Sequence, residues 1–432
     1  MTRRAVITGL GIVSPIGIGV DDFWRAALAG HSGVSALPEF EDLPRDGYRS
    51  RVAGCIRNFD ATRYVQGPLV ERVDRYAQMA LVAVQEAVGD AGLDVAREDP
   101  QRVAVIVGAG MGGMVMGERE IAQLYREHRP HRVHPNFIPA ITLNSASGVI
   151  ALAHGAKGPN WTLSTACSSS AHAIGQARIA IRADLADVVI VAGADASITP
   201  LVFAGFCSLR VLSTGYNDAP QRASRPFDRG RDGFVMGEGA GALIVESLAH
   251  ARRRKARAYA EIAGYAAGSE AYHMVIPRED GVDVARTMAL ALRDGCLQPE
   301  DVHYVNAHAT STKVGDAVEI KAIKQLFMRR ARRLAVSATK SLVGHTLGAA
   351  GAIAAVASLL SMRHDRIHPT INYEDPDPDC ALPGISTQTQ NRTVDVALLN
   401  AFGFGSNNAV VVFSRVREPP STRRIPGPSA RT

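Results

Sequence analysis

The sequence predicts an α/β protein made of two related halves, roughly residues 1–250 and 258–416. Three observations predict it. Short β-branched runs recur along the chain, and their nearly continuous apolar character suits strands covered on both faces. Longer helical patterns separate them, and strands alternating with helices define the α/β class. Two further helical patterns, residues 168–183 and 346–360, are built of Ala, Gly and Ser with few charges, which suits buried, closely packed helices. They lie in opposite halves, each after a candidate reactive residue, and so suggest an internal duplication.

In chain order, residues 4–9 (RAVITG) begin the first expected strand. The segment VITGLGIVSP reads as that strand and its turn rather than as a secretory signal. Gly9, Gly11 and Pro15 break the apolar run, and no small-residue cleavage site follows. Residues 71–91 predict a helix with Val73, Ala77, Ala80, Leu81 and Val84 on one face. Strands are expected at 102–108, 187–193 and 241–246, and the basic stretch His250 to Arg257 is the crossing point between halves. Beyond it come helices at 282–295 and 315–327 and strands at 303–307 and 395–401. Residues 417–432, rich in Pro, Ser and Arg and without apolar periodicity, read as a disordered tail.

Composition excludes several classes. Hydrophobic residues at 46% and charged residues at 21% rule out a largely disordered chain, a collagen-like repeat and a coiled-coil rod. The formal net charge of +6 is small for 432 residues; it permits an acidic partner without calling for nucleic acid. Five cysteines, at 55, 167, 207, 296 and 380, are widely spaced with no CxxC pair, which indicates neither a disulfide framework nor a zinc knuckle and suits a reducing cytoplasm. The longest strongly apolar stretch, Gly348 to Leu360, is shorter than the ~18 residues a spanning helix needs, so no membrane span is expected.

Five segments could carry chemistry. Gly108, Gly110 and Gly113 follow a strand with the GxGxxG spacing of a dinucleotide site, but no second strand precedes the His/Pro-rich segment that follows, so a tight strand-end loop is expected instead. His128, His131 and His134 lie among prolines and arginines, which disfavours a metal site and leaves an exposed loop. Cys167, in WTLSTACSSSAHAIG, sits at the mouth of a helix whose amides and dipole would favour a thiolate nucleophile; read alone, it is equally an inert buried thiol. His308 lies just past a strand in YVNAHATSTKVGDAVE, ahead of Thr310, Thr312, Asp316 and Glu319. Lys340 precedes His345 by five residues in SATKSLVGHTLGAAGA. Finally, NAFGFGSNNAVVVF is a Gly-Phe loop between two strands, readable as a packed β-turn or as an aromatic gate whose N–H groups face a reacting carbonyl.

With these motifs in view, the chain resembles the condensing enzymes of the thiolase superfamily, specifically the β-ketoacyl-acyl carrier protein synthases of the type II group. TACSSS, RPFDRGRDGFVMGEGAG, SEAYHM, NAHATST, TKSLVGHTLGAAG and NAFGFGSNN carry the resemblance over about residues 3–415. Type III synthases carry Cys, His and Asn instead. Thiolases use a second Cys in a Gly-rich loop, which the DPDPDCALPG context of Cys380 does not resemble.

The resemblance implies a thiolase-like fold, two duplicated α/β halves in five αβαβα layers, as a cytoplasmic homodimer. It implies a decarboxylative Claisen condensation, in fatty acid or polyketide/polyene elongation, with no metal or nicotinamide cofactor and with substrates carried on the phosphopantetheine of an acyl carrier protein. Cys167 would be the nucleophile, and the amides of Cys167 and Phe404 the oxyanion donors. His308 and His345 would stabilise the enolate. Lys340 would pair with Glu319 and order the His345 loop, with Asp316 in support. Thr310 and Thr312 would contact the phosphopantetheine arm, Met111 and Phe206 would line the acyl tunnel, and Phe404 would act as its gate. Arg72 and Arg210 would dock the carrier protein. Departures at Ala309, Ser406, Asn407, Val202 and Phe203 leave the catalytic set intact but admit a specialised pathway, and Pro68, where a docking lysine is common, implies altered docking contacts. The alternative is a chain-length-factor-like subunit of a ketosynthase heterodimer, which the presence of Cys167, His308 and His345 disfavours.

Overall fold

The computed structural model describes residues 3–40 and 44–416; the expected tail, residues 417–432, lies outside them. Among the described residues each half contributes five main strands to the central sheet, and the two-residue strand Gly17–Ile18 pairs with the first of them. In the first, β1 (Ala5–Ser14), β2 (Val103–Gly108), β3 (Asn160–Leu163), β4 (Val188–Asp195) and β5 (Gly239–Ser247) lie in the order β3-β2-β4-β5-β1. In the second, β6 (Ala260–Ser269), β7 (Tyr304–Asn306), β8 (Ala335–Ser337), β9 (Val396–Gly403) and β10 (Asn407–Ser414) lie in the order β8-β7-β9-β10-β6. Order and polarity repeat: the first three strands of each sheet run parallel and the next two pairings are antiparallel. The sheets join where Val6 and Ile7 of β1 pair with Glu261 and Ala260 of β6.

Of the twelve α-helices among the described residues, seven matter here: α1 (Arg75–Ala91), α2 (Met114–Glu127), α3 (Ser169–Arg182), α4 (Pro200–Ser208), α5 (Val282–Asp294), α6 (Lys313–Phe327) and α7 (Ala350–His364). The small-residue helices α3 and α7 lie side by side between the sheets, each touching strands of both halves. Helix α1 covers the outer face of the first sheet, and α5 with α6 covers that of the second. The result is a thiolase-like five-layer sandwich, and three buried apolar clusters fill its outer and central spaces.

The composition of the middle layer follows from distance. A Cβ on Gly108 of β2 would come within 2.4 Å of the Ser170 backbone, one on Gly193 of β4 within 2.3 Å of the Ser170 side chain, and one on Gly241 of β5 within 2.7 Å of Ala352. Larger residues would hold the central helices off the sheets.

Several boundaries differ from expectation. β1 continues through Gly9 and Gly11 to Ser14, because those glycines admit the α1 backbone, whose Ala87 and Ala83 carbonyls lie where their Cβ atoms would be. Helix α1 starts at Arg75 rather than residue 71: the buried Asp74 carboxylate accepts from the Tyr76 amide and caps it, leaving Val73 outside. Strands β3, β6 and β8 were not anticipated; they are short or rich in Ala and Gly, and β6 alternates in burial. The apolar run into α7 extends to 18 residues, Leu347–His364, long enough to cross a membrane by length and composition, but 89% of it is buried between the sheets as a core helix.

Candidate active site

Cys167 precedes α3 on a strained turn. Ala166 has φ 52, a conformation costly for a residue with a side chain. The following serines hold it. Ser168 Oγ donates to the Thr165 carbonyl at 2.8 Å, Ser169 Oγ donates to the Ala166 carbonyl at 2.6 Å, and the Thr165 amide donates back to Ser169 Oγ at 2.9 Å. The sequence TACSSS is thus a self-bonded turn that presents one sulfur.

The environment of that sulfur corrects the expectation of a resting thiolate. Burial pushes the Cys167 thiol up to about 12; the Lys340 ammonium opposes this, Asp195 adds to it, and the Phe404 and Cys167 amides that bond the sulfur also oppose it. Helix-mouth placement does not outweigh desolvation, so Cys167 is a thiol at neutral pH and must lose its proton as it attacks.

Both histidines lie opposite, in the second half. Their rings meet edge to face with centroids 5.5 Å apart. His308 also abuts Phe402 at 5.4 Å and His345 abuts Phe234 at 5.3 Å. Burial holds both imidazoles well below the usual histidine range, reinforced by Lys340, so both are neutral at physiological pH. The Lys340 Nζ lies 3.4 Å from His308 Nδ1. An ammonium can only donate there, which leaves the imidazole proton on Nε2 as a hydrogen-bond donor. His345 is fixed through its backbone, its amide donating to the Val235 carbonyl at 2.7 Å and its carbonyl accepting from Gly237 at 2.9 Å.

The expected Lys340–Glu319 pair is electrostatic rather than a direct contact: among the described residues no ion pair within 4 Å joins them, while the charge of each still acts on the other. Glu319 accepts from the His308 amide at 2.8 Å, the Ala309 amide at 2.7 Å and Asn400 Nδ2 at 2.8 Å. Glu319 therefore orders the His308 loop. Lys340 is buried, and burial lowers it to about 8 against the opposing pull of Glu319, Cys167 and Asp316. Asp316 supports the next stretch, accepting from the amides of Ser311 (3.1 Å), Thr312 (3.3 Å) and Phe227 (2.9 Å). Ala309 (φ 25) and Ser311 (φ 71) are held by these carboxylates in conformations that resist an L side chain.

A cavity of about 340 Å³ brings Cys167, His308, His345, Thr310, Thr312 and Phe404 together. The hydroxyls of Thr310 and Thr312 lie 3.0 Å apart on its wall. Phe206 borders it, and the exposed Arg210 (φ 57) stands at its rim. Met111 does not border it: this residue is 37% exposed, and its amide is bound by Asp195. Arg72 is exposed on the short turn ahead of α1, away from the cavity lining. The GxGxxG segment is a strand-end loop shaped by packing: the Gly110 Cβ position lies 2.6 Å from Asp195 Oδ2. His134 accepts from the Asn136 amide of its own turn, and His128 ends α2 in a left-handed conformation; among the described residues no cluster suited to a metal ion occurs.

Two residues escaped sequence reasoning. Asn400 bonds Glu319 from inside the apolar run DVALLNA, and Asp195 ends the apolar run of β4. Each is a polar side chain in a buried strand, Asn400 within β9 and Asp195 at the end of β4, a signal that periodicity alone passes over.

The five-layer duplicated architecture and the Cys-His-His cavity define a thiolase-like condensing enzyme fold with both halves contributing to one site. The comparisons are specific. Residues 2–251 match the family described as β-ketoacyl synthase, N-terminal domain, and residues 259–374 match its C-terminal domain. The chain belongs to the β-ketoacyl synthase family. A 3-oxoacyl-[acyl-carrier-protein] synthase 2 of Coxiella burnetii is 42% identical over 414 residues, 96% of this chain and 99% of that protein. One from Staphylococcus aureus is 43% identical over 413 residues, 96% and 98% of the respective chains. Among solved structures, a type II polyketide ketosynthase in complex with its acyl-carrier protein and bound to the hexaketide superposes with a TM-score of 0.88 at 34% identity, covering 96% of this chain and all of that one. A β-ketoacyl synthase from Burkholderia phymatum gives 0.88 at 32% identity with the same coverage.

Proposed function

We propose that this chain is a 3-oxoacyl-acyl carrier protein synthase that condenses an acyl thioester with malonyl-acyl carrier protein. The observation that carries the reading is the cavity in which one thiol and two neutral imidazoles share a wall. In acyl loading, the Cys167 sulfur attacks the thioester carbonyl of the donor. The sulfur proton ends on the departing pantetheine thiolate, which leaves as its thiol. The tetrahedral oxyanion is met by the Phe404 and Cys167 amides that bond the sulfur. Malonyl thioester then enters along Thr310 and Thr312, and its carbonyl oxygen accepts from His308 Nε2 and His345. As the carboxylate leaves as carbon dioxide, the electron pair forms an enolate on that oxygen. The enolate carbon attacks the acyl-Cys167 carbonyl, the C–S bond breaks, and the thiolate recovers a proton. Uncharged donors suit this step, because an imidazolium would surrender its proton and trap the enol. Decarboxylation drives the reaction, so no cofactor is required.

An acidic carrier protein fits the cationic rim at Arg210, with Arg72 as a more distant contact. β3 is a sheet edge with Trp161 40% exposed, which suits pairing with a second copy in a homodimer; a chain-length factor is the alternative partner, since two solved neighbours are ketosynthases assembled with one. The test uses Cys167→Ala, His308→Ala and His345→Ala. The first should lose acyl mass gain. The others should gain acyl mass yet release carbon dioxide from malonyl-acyl carrier protein at least about 100-fold more slowly, as loss of an oxyanion donor predicts. Normal release from both histidine variants would refute the assignment.

A further inference from the structure

We propose that Asp195 is a positioning residue for His345, fastening the turn that carries it to the first half of the molecule. Asp195 closes β4 and is buried beneath the site, touching neither sulfur nor imidazole by hydrogen bond. Its carboxylate accepts four hydrogen bonds. Oδ2 accepts from the Gly348 amide at 2.8 Å and the Gly110 amide at 2.9 Å. Oδ1 accepts from Ser197 Oγ at 3.0 Å and the Met111 amide at 3.3 Å. A single oxygen thus joins the loop after β2 to the turn three residues beyond His345.

The turn needs that anchor. Gly344 (φ 74) and Leu347 (φ 49) flank His345 in left-handed conformations, and for Leu347 this is strained. The residue's own backbone is held on one side by Val235 and Gly237. Gly348 on the other side has its amide bound by Asp195, immediately before α7 begins. Releasing Gly348 lets the strained turn relax and carries the imidazole with it. The glycines make the contact possible: a Cβ on Gly348 would lie 2.3 Å from the Gly110 amide nitrogen and 2.7 Å from Asp195 Oδ2. A carboxylate here also raises the Cys167 thiol, so its presence opposes the nucleophile and is explained by geometry rather than by acid–base assistance to sulfur.

The inference rests on the reading of His345 as the enolate donor, and His345→Ala is measured alongside to separate the two. Asp195→Ala removes the shared acceptor. Asp195→Asn can turn its oxygen to Gly110 and Gly348 and its amide to Ser197 Oγ, keeping the anchor and losing only the long bond from Met111. Acyl gain at Cys167 and carbon dioxide release from malonyl-acyl carrier protein are followed in each. The alanine variant should lose about 100-fold in carbon dioxide release, the effect of displacing a reacting group by ~1 Å, with acylation within about fivefold of wild type. The asparagine variant should restore release to within about fivefold, which a general packing defect would not do. If the alanine variant does not fold, Asp195→Glu carries the test: its longer side chain pushes on Gly348 and should lose release but keep acylation. Unchanged release in the folded alanine or glutamate variant, equal loss of both half-reactions, or failure of asparagine to restore release overturns the proposal. If His345→Ala itself releases carbon dioxide normally, the reading of His345 fails first.

Discussion

Replacing Glu319 by Gln tests whether the second half of the site is held by one carboxylate. Glu319 is fully buried and accepts three hydrogen bonds: from the amides of His308 and Ala309 and from Asn400. Gln has the same shape but one acceptor oxygen. If that oxygen faces His308 and Asn400, the new NH₂ meets the Ala309 amide, donor against donor. In the other orientation the NH₂ meets the His308 amide, while Asn400 can turn its unpartnered Oδ1 to accept from it. Either way one buried backbone N–H is left unpaired, at about 1–3 kcal/mol. The loop absorbs that loss by relaxing, since Ala309 and Ser311 are strained at φ 25 and 71. His308 then moves off the Lys340 ammonium that fixes its tautomer.

The expected outcome is folded protein with a slightly lowered thermal midpoint, normal acylation of Cys167, and carbon dioxide release reduced about 100-fold, the penalty of a ~1 Å misplacement. Glu319→Ala would strand all three donors at about 3–9 kcal/mol, comparable to a domain's whole stability, and should not accumulate as folded protein. The assay is single-turnover carbon dioxide release from malonyl-acyl carrier protein after acyl loading. Glu319→Gln protein that loads and decarboxylates at the wild-type rate would refute the claim that this carboxylate positions His308.

Two further predictions concern pH. Lys340 is lowered from 10.5 to about 8 by burial, so its ammonium is lost as pH rises through about 8; carbon dioxide release should fall across that range and the limb should vanish in Lys340→Met. The same group binds more protons unfolded than folded between about 8 and 10.5, so it makes the fold more stable as pH rises there, and a midpoint that fell in parallel with activity would contradict this account. Glu246, at the end of β5, accepts from Thr8, from Arg254 and from His250 Nδ1 at 2.5 Å, and these hydrogen bonds, outweighing burial, hold it at about 2. Depression from 4.5 to about 2 corresponds to about 3 kcal/mol, fully present above 4.5 and lost as pH falls toward 2. Glu246→Gln should therefore be much less stable than wild type at pH 7 in urea melts, with the gap closing toward pH 2; a gap independent of pH would remove the charge from the explanation.

The parts of this molecule legible in the sequence were those with local signatures. Six apolar runs and the helical patterns between them located most of both sheets, and TACSSS, NAHATST and TKSLVGHTLGAAG located the reactive side chains, the first of them a turn built from its own neighbours. What stayed hidden depends on contacts across the chain. The sulfur's protonation could not be read from its helix-mouth position, because burial is a property of everything packed around it. The partner of Glu319 could not be read from spacing, because the competing donors belong to the loop ahead of its helix and to Asn400, 81 residues on. Gly9 and Gly11, which interrupt the apolar run of a signal segment, are strand residues, and their lack of a Cβ is required by α1, a contact the sequence does not show.

The repeated strand order explains why one site needs both halves. In each half the chain leaves the edge strand, β3 or β8, and enters the helix layer between the sheets, so the two middle helices approach one another across the seam. Helix α3 opens behind Cys167, and α7 opens behind His345. A duplicated unit would by itself place two equivalent positions at that seam, and the sequence has differentiated them: one carries a thiol, the other an imidazole. The seam must then be fastened across halves or the two positions would drift as separate bodies. Ser170 Oγ of α3 accepts from the Ala352 amide of α7 at 2.9 Å, and Asp195 binds Gly348 just before it. Polar groups otherwise out of place in an apolar middle layer are therefore where the two halves are registered, and the catalytic geometry depends on that registration more than on the stability of either half alone.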